Sequence, residues 1–426
     1  MSFRQEILEK RQAFRVYIPL VILYFLSYFQ RTSLPGTIFD TLSADLHLNA
    51  SGMAALAASF VYPYAVCQIF SGALVDRFCG TRVVMAGGAV MLAGILLFPL
   101  SASLPMLCAA RALTGIGSST IFLALVRETD RLFGRKNYAL IFGIAYFCGY
   151  AGGLSGTLPF ERLCAAYPWR HVLFGAAAVT AAGYLALLGA GLRSKMPPVP
   201  DTPFSLKPYR NVIANPLSWR MILCANVNFC IFFVIQTVFG KKFLQDFAGL
   251  SSAVSAGVIF AMTLVCMGIM LTTSILSRLT GNRRRPLILG ACGVTLLGTL
   301  LMVSAIRLRL PGWSFAAAYI LFSAGAGIPQ IFSMTMQEFN SRDIIAQAAA
   351  TLNMFGYLFV AVFSQITGMV LDLFGGRRLP DGTLNYPDQA YLAIFVFLAL
   401  AAAASFFTAL HVPETRGHCL HLHSQC

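Results

Sequence analysis

Twelve apolar stretches decide what this chain can become. They lie at 17–38, 53–73, 83–101, 106–126, 138–158, 170–192, 217–238, 252–274, 286–305, 312–334, 346–371 and 389–410. Each approaches the roughly 20 residues that an α-helix needs to cross the hydrocarbon of a bilayer. Backbone in lipid must satisfy its own hydrogen bonds, so such runs read as helices. Composition agrees. The 426 residues are 58% hydrophobic and 11% charged, against about 45–50% and about 25% in a soluble domain. With a mean hydropathy of +0.73, a soluble enzyme is excluded. The expected class is an all-α membrane protein with twelve transmembrane helices.

One long polar connector interrupts the series. Residues 193–216 carry Pro197, Pro198, Pro200, Pro203, Pro208 and Pro216 with Lys and Arg between them, and divide the spans six and six. The expected organisation is an N-terminal six-helix bundle (1–192), a cytoplasmic linker (193–216), a C-terminal six-helix bundle (217–410) and a cytoplasmic tail (411–426). The net charge of +15 would suit nucleic acid, but its distribution argues otherwise. Most of the 31 Lys and Arg fall in segments on the N-terminal side, which puts both termini in the cytoplasm. The basic surplus then faces anionic membrane lipid, and no nucleic acid is expected. The 11 cysteines are scattered singly, most of them inside apolar runs, and read as small apolar fillers. The basic N-terminus (Arg4, Lys10, Arg11, Arg15) leads into apolar character that continues to about Phe39. That is too long for a cleavable signal and reads as an uncleaved first span.

The second and third runs are joined by Gly72-Ala73-Leu74-Val75-Asp76-Arg77-Phe78-Cys79-Gly80-Thr81-Arg82. A small residue lets helices approach, Asp76 suits a helix start, and the arginines stay in water. Gly80 would allow the tight turn. Gly72, Asp76, Arg77, Gly80 and Arg82 resemble the G-x-x-x-D-R-x-G-x-R loop of the major facilitator superfamily of secondary transporters, with one extra residue before Gly80. The halves also repeat. Thr273, Ser277, Arg278, Gly281 and Arg283 keep the spacing of that loop. Gly115-Ile116-Gly117, Ile121-Phe122 and Glu128 recur as Gly325-Ala326-Gly327, Ile331-Phe332 and Glu338, and Gly149-Tyr150 recurs as Gly356-Tyr357. The resemblance implies the superfamily fold, two pseudo-symmetric six-helix bundles that rock about a midplane site.

Arg111-Ala112-Leu113-Thr114-Gly115-Ile116-Gly117 resembles the superfamily's R-x-x-x-G-x-G signature on the fourth span. An arginine in hydrocarbon is costly unless it meets a cavity or a partner. Arg111 therefore reads either as a coupling or substrate group, or as a structural arginine bonded to carbonyls. Arg31 lies two thirds along the first span, and Tyr24, Ser27, Tyr28 and Arg31 form a polar stripe at helical spacing. YFQRTSLP is loosely similar to the first span of the superfamily's organophosphate and other anion porters. A fixed guanidinium favours a carboxylate or phosphate; the alternative is a pair with the span's outer end, for example Asp40. Further polar residues fall mid-span: Tyr64, Gln68, Tyr146, Tyr150, Asn226, Asn228, Gln236, Gln330, Asn353 and Tyr357. They read as cavity lining or as interhelical hydrogen bonds.

Glu128, Asp130, Arg131 and Arg135, with Glu338 and Arg342 in the second half, lie at the expected cytoplasmic helix ends. In the superfamily such groups clasp the Asp76-type loop, so they read as gating charges, or else as a solvated face. Ser277 stands where the second loop would carry its acid, which implies a weaker second gate. The Gly-rich fifth span (Gly143, Gly149, Gly152, Gly153, Gly156) only partly resembles the drug/proton antiporter signature, since the central Gly-Pro is absent. No carboxylate lies deep in any expected span. Val412-Pro413-Glu414-Thr415-Arg416-Gly417 looks like the PETKG of sugar porters without its companions. His418, Cys419, His421, His423 and Cys426 are metal-ligand types, yet lack rigid spacing and read as a disordered tail; no metal and no cofactor is expected.

No nucleophile–base arrangement or nucleotide-binding loop appears, so transport would draw on a gradient. The expectation is a non-enzymatic, monomeric secondary transporter with alternating access, in a bacterial inner membrane. It would take up a small-molecule substrate, a small organic anion, with coupling protons. Export of drug-like or amphipathic compounds, and a transport-inactive receptor, are the alternatives.

Overall fold

The computed structural model describes residues 3–193, 207–279, 281, 283–341, 344–378, 384–418 and 420; the side chains of 3–12, 76, 130, 134–140, 143, 207–208, 274–276, 278–279 and 345–346 lie outside that description. Helix α1 (Phe3–Ser33) stops just before Pro35, which disfavours helical backbone at the preceding residue. A single 3₁₀ turn (Gly36–Ile38), α2 (Phe39–Leu46) and α3 (Ala50–Phe78) follow. Next come α4 (Gly80–Leu100), α5 (Leu104–Ser155), α6 (Leu158–Ala166) and α7 (Trp169–Arg193). Beyond the connector, α8 (Lys207–Ala214) precedes α9 (Pro216–Val234), which passes through a π turn (Ile235–Phe239) into α10 (Gly240–Asp246). The chain continues with α11 (Ser252–Leu279), α12 (Arg285–Arg307), α13 (Gly312–Ala326), α14 (Pro329–Glu338) and α15 (Ile345–Phe374). A two-residue antiparallel ladder pairs Arg377 with Asn385 and Arg378 with Leu384, and α16 (Asp388–Leu410) ends the series.

Among the described residues, 11 helical stretches are long and apolar enough to cross a membrane. The twelfth crossing lies inside α5. A straight helix of 52 residues would measure about 78 Å, far more than the roughly 30 Å of hydrocarbon. Contacts with α1 show that it does not run straight. Tyr17 meets Thr129, whereas Gln30 and Leu34, near the other end of α1, meet Arg111. That leg is antiparallel to α1. The Cβ position of Gly149 abuts Tyr24, and Thr32 donates to the Gly153 carbonyl, so the later leg is parallel to it. The chain therefore reverses between Phe133 and Ile141, and the protein is an all-α membrane protein with twelve membrane crossings among the described residues.

The chain forms two compact units, Met1–Leu34 with Ser59–Phe204, and Pro35–Ala58 with Ser205–Cys426. In the first, α4 lies antiparallel on the first leg of α5. A Cβ on Gly117 would come within 2.3 Å of the Gly87 carbonyl, and one on Gly94 within 2.5 Å of the Ala110 carbonyl. Side chains larger than hydrogen would force these helices apart. Around that seam Leu20, Leu23, Val84, Met91, Ile121 and Leu125 are fully or almost fully buried. In the second unit Met221, Ile222, Cys292, Ile331, Phe332 and Met336 form the equivalent core.

Residues 35–58 pack with the second unit rather than with the bundle to which the sequence assigned them. Polar groups hold them there. Lys241 donates to the Thr37 carbonyl at 2.6 Å, Lys242 pairs with Asp40 at 2.7 Å, and Asp372 accepts the first N–H groups of α3, from Ala50 and Ser51. Gly36 approaches the π turn so closely that a Cβ would lie 2.3 Å from the Thr237 carbonyl.

The two glycine pairs of the repeat do different work. Gly115 packs on Phe60 of α3 and Gly117 on α4, whereas Gly325 packs on Thr295 of α12 and Gly327 on Ile269 of α11. The second copy also breaks at Gly327, because Pro329 starts a new helix at α14.

Candidate functional site

In the first unit, six of the expected site residues gather near the guanidinium of a seventh, Arg31. Arg31 is 2% exposed, near the C-terminal end of α1. Its Cζ sits 4.4 Å from the centroid of Tyr28, one turn back, and 4.6 Å from that of Tyr64 on α3. Cation–π attraction is strengthened where water is excluded, and it holds the planar group without neutralising it. Gln68 is buried one helical turn beyond Tyr64 on α3. Rings continue away from the charge. Tyr28 lies 5.4 Å from Tyr150, and Tyr150 lies 5.3 Å from Tyr146. The Tyr24 hydroxyl donates to that of Tyr28 at 3.4 Å, and the Tyr24 ring stacks at 6.2 Å on Phe122. Tyr28, Tyr146 and Tyr150 are half-buried, while Tyr24, Tyr64 and Gln68 are buried.

The α1–α5 seam places these rings. A Cβ on Gly152 would lie 2.0 Å from the Phe25 carbonyl; only glycine lets the second leg of α5 come this near, which sets Tyr150 against Tyr28.

Arg111 is also buried and shares the Phe60 ring, whose centroid is 4.6 Å from its Cζ and 5.7 Å from that of Arg31. It donates to the Gln30 carbonyl at 2.7 Å and to the Leu34 carbonyl at 3.1 Å. The last carbonyls of a helix have no partner within it, so Arg111 ends α1 by taking them. That is the structural role open to it from sequence, and it fixes the turn on which Arg31 stands.

In the second unit the expected residues divide. Tyr357 of α15 meets Phe229 and Phe233 of α9 edge to face at 5.4 and 6.2 Å, beside Asn226. Asn228 faces elsewhere: its amide donates to the Cys224 carbonyl, the Cys292 sulfur and the Ser405 hydroxyl. It joins α9, α12 and α16 as an interhelical hydrogen-bonding group. Gln236, inside the π turn, donates to the Thr263 hydroxyl at 2.6 Å. Gln330 and Asn353 are half-buried on α14 and α15.

The expected gating residues form two unequal constellations. Glu128, fully buried, accepts the Thr81 N–H at 3.0 Å and the Cys79 thiol at 3.1 Å, and pairs with Arg131. It thereby caps α4 from α5. The turn before α4 is made by Cys79, with φ of 73°, and not by Gly80. Gly80 is needed for closeness, since a Cβ there would lie 2.9 Å from both the Ala124 carbonyl and Glu128. Gly72 is half-buried within α3, Arg77 exposed and Arg82 half-buried. The side chains of Asp76, Asp130 and Arg278, and residue Arg342, lie outside the described residues, as do Cys419, His421, His423 and Cys426.

In the second unit Glu338 takes the guanidinium of Arg284 at 3.1 Å and the Thr415 hydroxyl at 2.5 Å, and Arg284 also donates to Ser277 at 2.5 Å. The capping of α12 passes to Glu414, which accepts the N–H groups of Arg284 and Arg285 at 2.7 and 3.2 Å. Gly281 has a φ of +65° and Arg283 is exposed. Arg284, Glu414 and Thr415 were not singled out from sequence as functional, although the PETR string that carries two of them was visible.

A third cluster also escaped sequence reading. Helix continues past the expected end of the seventh span, at 238, as far as Asp246. Lys242, 3% exposed, lies 2.7 Å from Asp40 and 2.8 Å from Asp246. Asp246 also accepts the Tyr391 hydroxyl at 2.7 Å. Asp40 thus serves Lys242, not the first-span arginine suggested from sequence. The i, i+4 spacing of Lys242 and Asp246 was the available signal. Burial also acts outside the spans: it pushes the Cys79 thiol above its ordinary range, with the Glu128 charge adding to the effect. Among the described residues, no group of His, Cys, Asp and Glu is arranged to hold a metal ion.

Over 245 residues, 52% of this chain and 54% of the other, the protein is 25% identical to the human voltage-gated purine nucleotide uniporter SLC17A9. The match thus spans about half the length of that relative. In fold the chain is similar to a D-xylose–proton symporter, with TM-score 0.71 and 15% identity over 96% of this chain and 99% of that one. The peptide transporter POT in complex with sulfate gives TM-score 0.74 and 13% identity over 94% and 93%. The family model of the Major Facilitator Superfamily matches residues 20–364, so the chain belongs to that superfamily and is a multi-pass membrane protein.

Proposed function

We propose that this protein takes up a small organic anion together with protons by alternating access. The observation that carries the reading is Arg31, a guanidinium 2% exposed and held against the rings of Tyr28 and Tyr64. A guanidinium stacked on rings keeps its N–H fork in its own plane, the geometry that meets a carboxylate or phosphate edge-on. Arg111 supports it by fixing the end of α1. The purine nucleotide for which the human relative is named is itself an anion, and the D-xylose–proton symporter of like fold lends weight to proton coupling. The six-and-six arrangement, with Asp76, Glu128 and Arg131 at one loop and Arg284 and Glu338 at the other, serves as the gate. The basic loops put both termini in the cytoplasm of a bacterial inner membrane, and the working unit is a monomer.

The test is uptake by proteoliposomes of labelled lactate, succinate, benzoate and phosphate under an inward proton gradient. Uptake of at least one of these should collapse with an uncoupler and disappear in Arg31→Gln. Uptake that ignored the gradient would remove proton coupling, and full uptake by Arg31→Gln would remove the anion site. Binding without movement would identify a receptor.

A further inference from the structure

Beyond the charge itself, the surroundings of Arg31 constrain what shape of anion fits. Three tyrosine rings extend from it in sequence: Tyr28 at 4.4 Å from the guanidinium carbon, Tyr150 at 5.4 Å from Tyr28, and Tyr146 at 5.3 Å from Tyr150. All three are half-buried rather than fully covered. Behind them, Tyr24, Phe122 and Phe142 back the row at 5.0 to 6.3 Å between centroids. Tyr146 and Tyr150 lie one helical turn apart, and so present their rings on one face of the second α5 leg. The close approach at Gly152 keeps that face against α1.

A row of rings beside a charge has a chemical meaning. Saturated chains gain from such a surface only by area burial, whereas a planar π system also gains from offset or edge-to-face stacking. An acid group held by Arg31 leaves the rest of a ligand lying along Tyr28, Tyr150 and Tyr146. We infer that the substrate is a ring-bearing anion: an acid group within one to three bonds of a planar ring, the acid on Arg31 and the ring on the Tyr28–Tyr150–Tyr146 row. This rests on the anion reading above and narrows it. Tyr28, Tyr146 and Tyr150 are then the groups that set specificity.

The experiment is titration calorimetry on the full-length protein in detergent, with paired ligands of equal charge. Phenylacetate is compared with cyclohexylacetate, benzoate with cyclohexanecarboxylate, and 3-phenylpropanoate with 3-cyclohexylpropanoate. At least one ring acid should bind about tenfold more tightly than its saturated partner, the order expected from one to two stacking contacts. Tyr150→Leu should erase that preference, and Tyr150→Phe, which keeps the ring, should retain it. Thermal melting of both variants separates lost stacking from lost folding. Equal binding within every pair, all of it lost in Arg31→Gln, overturns the ring inference and leaves the anion site standing. Binding of any pair that survives Arg31→Gln overturns both. No binding by any of the six acids also overturns the inference.

Discussion

Glu128, at the end of the first leg of α5, accepts the backbone N–H of Thr81 at the start of α4 across 3.0 Å. A carboxylate at a helix N-terminus satisfies an orphan donor and faces the positive end of the helix dipole. One buried acid therefore joins two transmembrane helices at the loop between α3 and α4. Replacement by Gln keeps the shape and removes the charge. Charge-assisted hydrogen bonds contribute about 1.5–3 kcal/mol, so Glu128→Gln should lower the melting temperature of the purified protein. An unchanged Tm would mean that the cap is dispensable.

Cys79 lies beside that acid. Burial, and then the Glu128 charge, raise its thiol above the ordinary value. A raised thiol pKa leaves little thiolate at pH 7.5, and reactivity follows thiolate. Alkylation of Cys79 by iodoacetamide, followed by mass spectrometry of its peptide, should be slow at pH 7.5 and quicken as pH rises. In Glu128→Gln it should be faster at every pH. Equal rates in the two proteins would show that the charge has no hold on the thiol.

The loop also shows what a sequence can and cannot display. Asp76-Arg77 and Gly80 were readable as a superfamily pattern, and the fold followed from it together with the twelve runs. The division of labour inside the pattern was not. Gly80 looked like the turn residue because glycine tolerates positive φ, yet the turn falls on Cys79 and Gly80 is demanded by Ala124 and Glu128 from another helix. Glu128 and Glu338 occupy matching places in the repeat, but Glu414, from beyond the last helix, caps α12. Such partners come from distant chain positions, and no local spacing encodes them. The Arg31 stripe was legible because its residues share one helix. Its aromatic surroundings, drawn from α3 and both legs of α5, were visible only residue by residue.

The ion cluster at α10 gives a ranked prediction. Removing one member of a buried pair costs about 3–5 kcal/mol because it strands the other charge. Lys242→Met strands Asp246, whose side chain is 6% exposed, beside Asp40 at 23%, and should be the most destabilising. Asp246→Asn should follow. Asp40→Asn, which leaves the Lys242–Asp246 pair intact, should cost least. Thermal melting in detergent gives the order, and a reversed order would place the stabilisation elsewhere.

Close helix approach predicts a contrast between two glycines. A Cβ at Gly152 would overlap the Phe25 carbonyl, whereas at Gly175 nothing lies within 4 Å. Gly152→Ala should lower Tm sharply or prevent folding. Gly175→Ala should be neutral or slightly stabilising, since Ala is favoured over Gly in helices by about 1 kcal/mol. Equal melting of the two variants would contradict the α1–α5 seam.

The central claim is that the Arg31 guanidinium holds the acid group of the substrate. Its most direct test is counterflow of a labelled carboxylate into proteoliposomes containing wild-type protein, Arg31→Lys or Arg31→Gln at equal amounts. A charge without the planar fork should retain part of the exchange, so Arg31→Lys should fall between the wild type and an inactive Arg31→Gln. Exchange by Arg31→Gln at the wild-type rate, in protein that melts normally, would contradict the account.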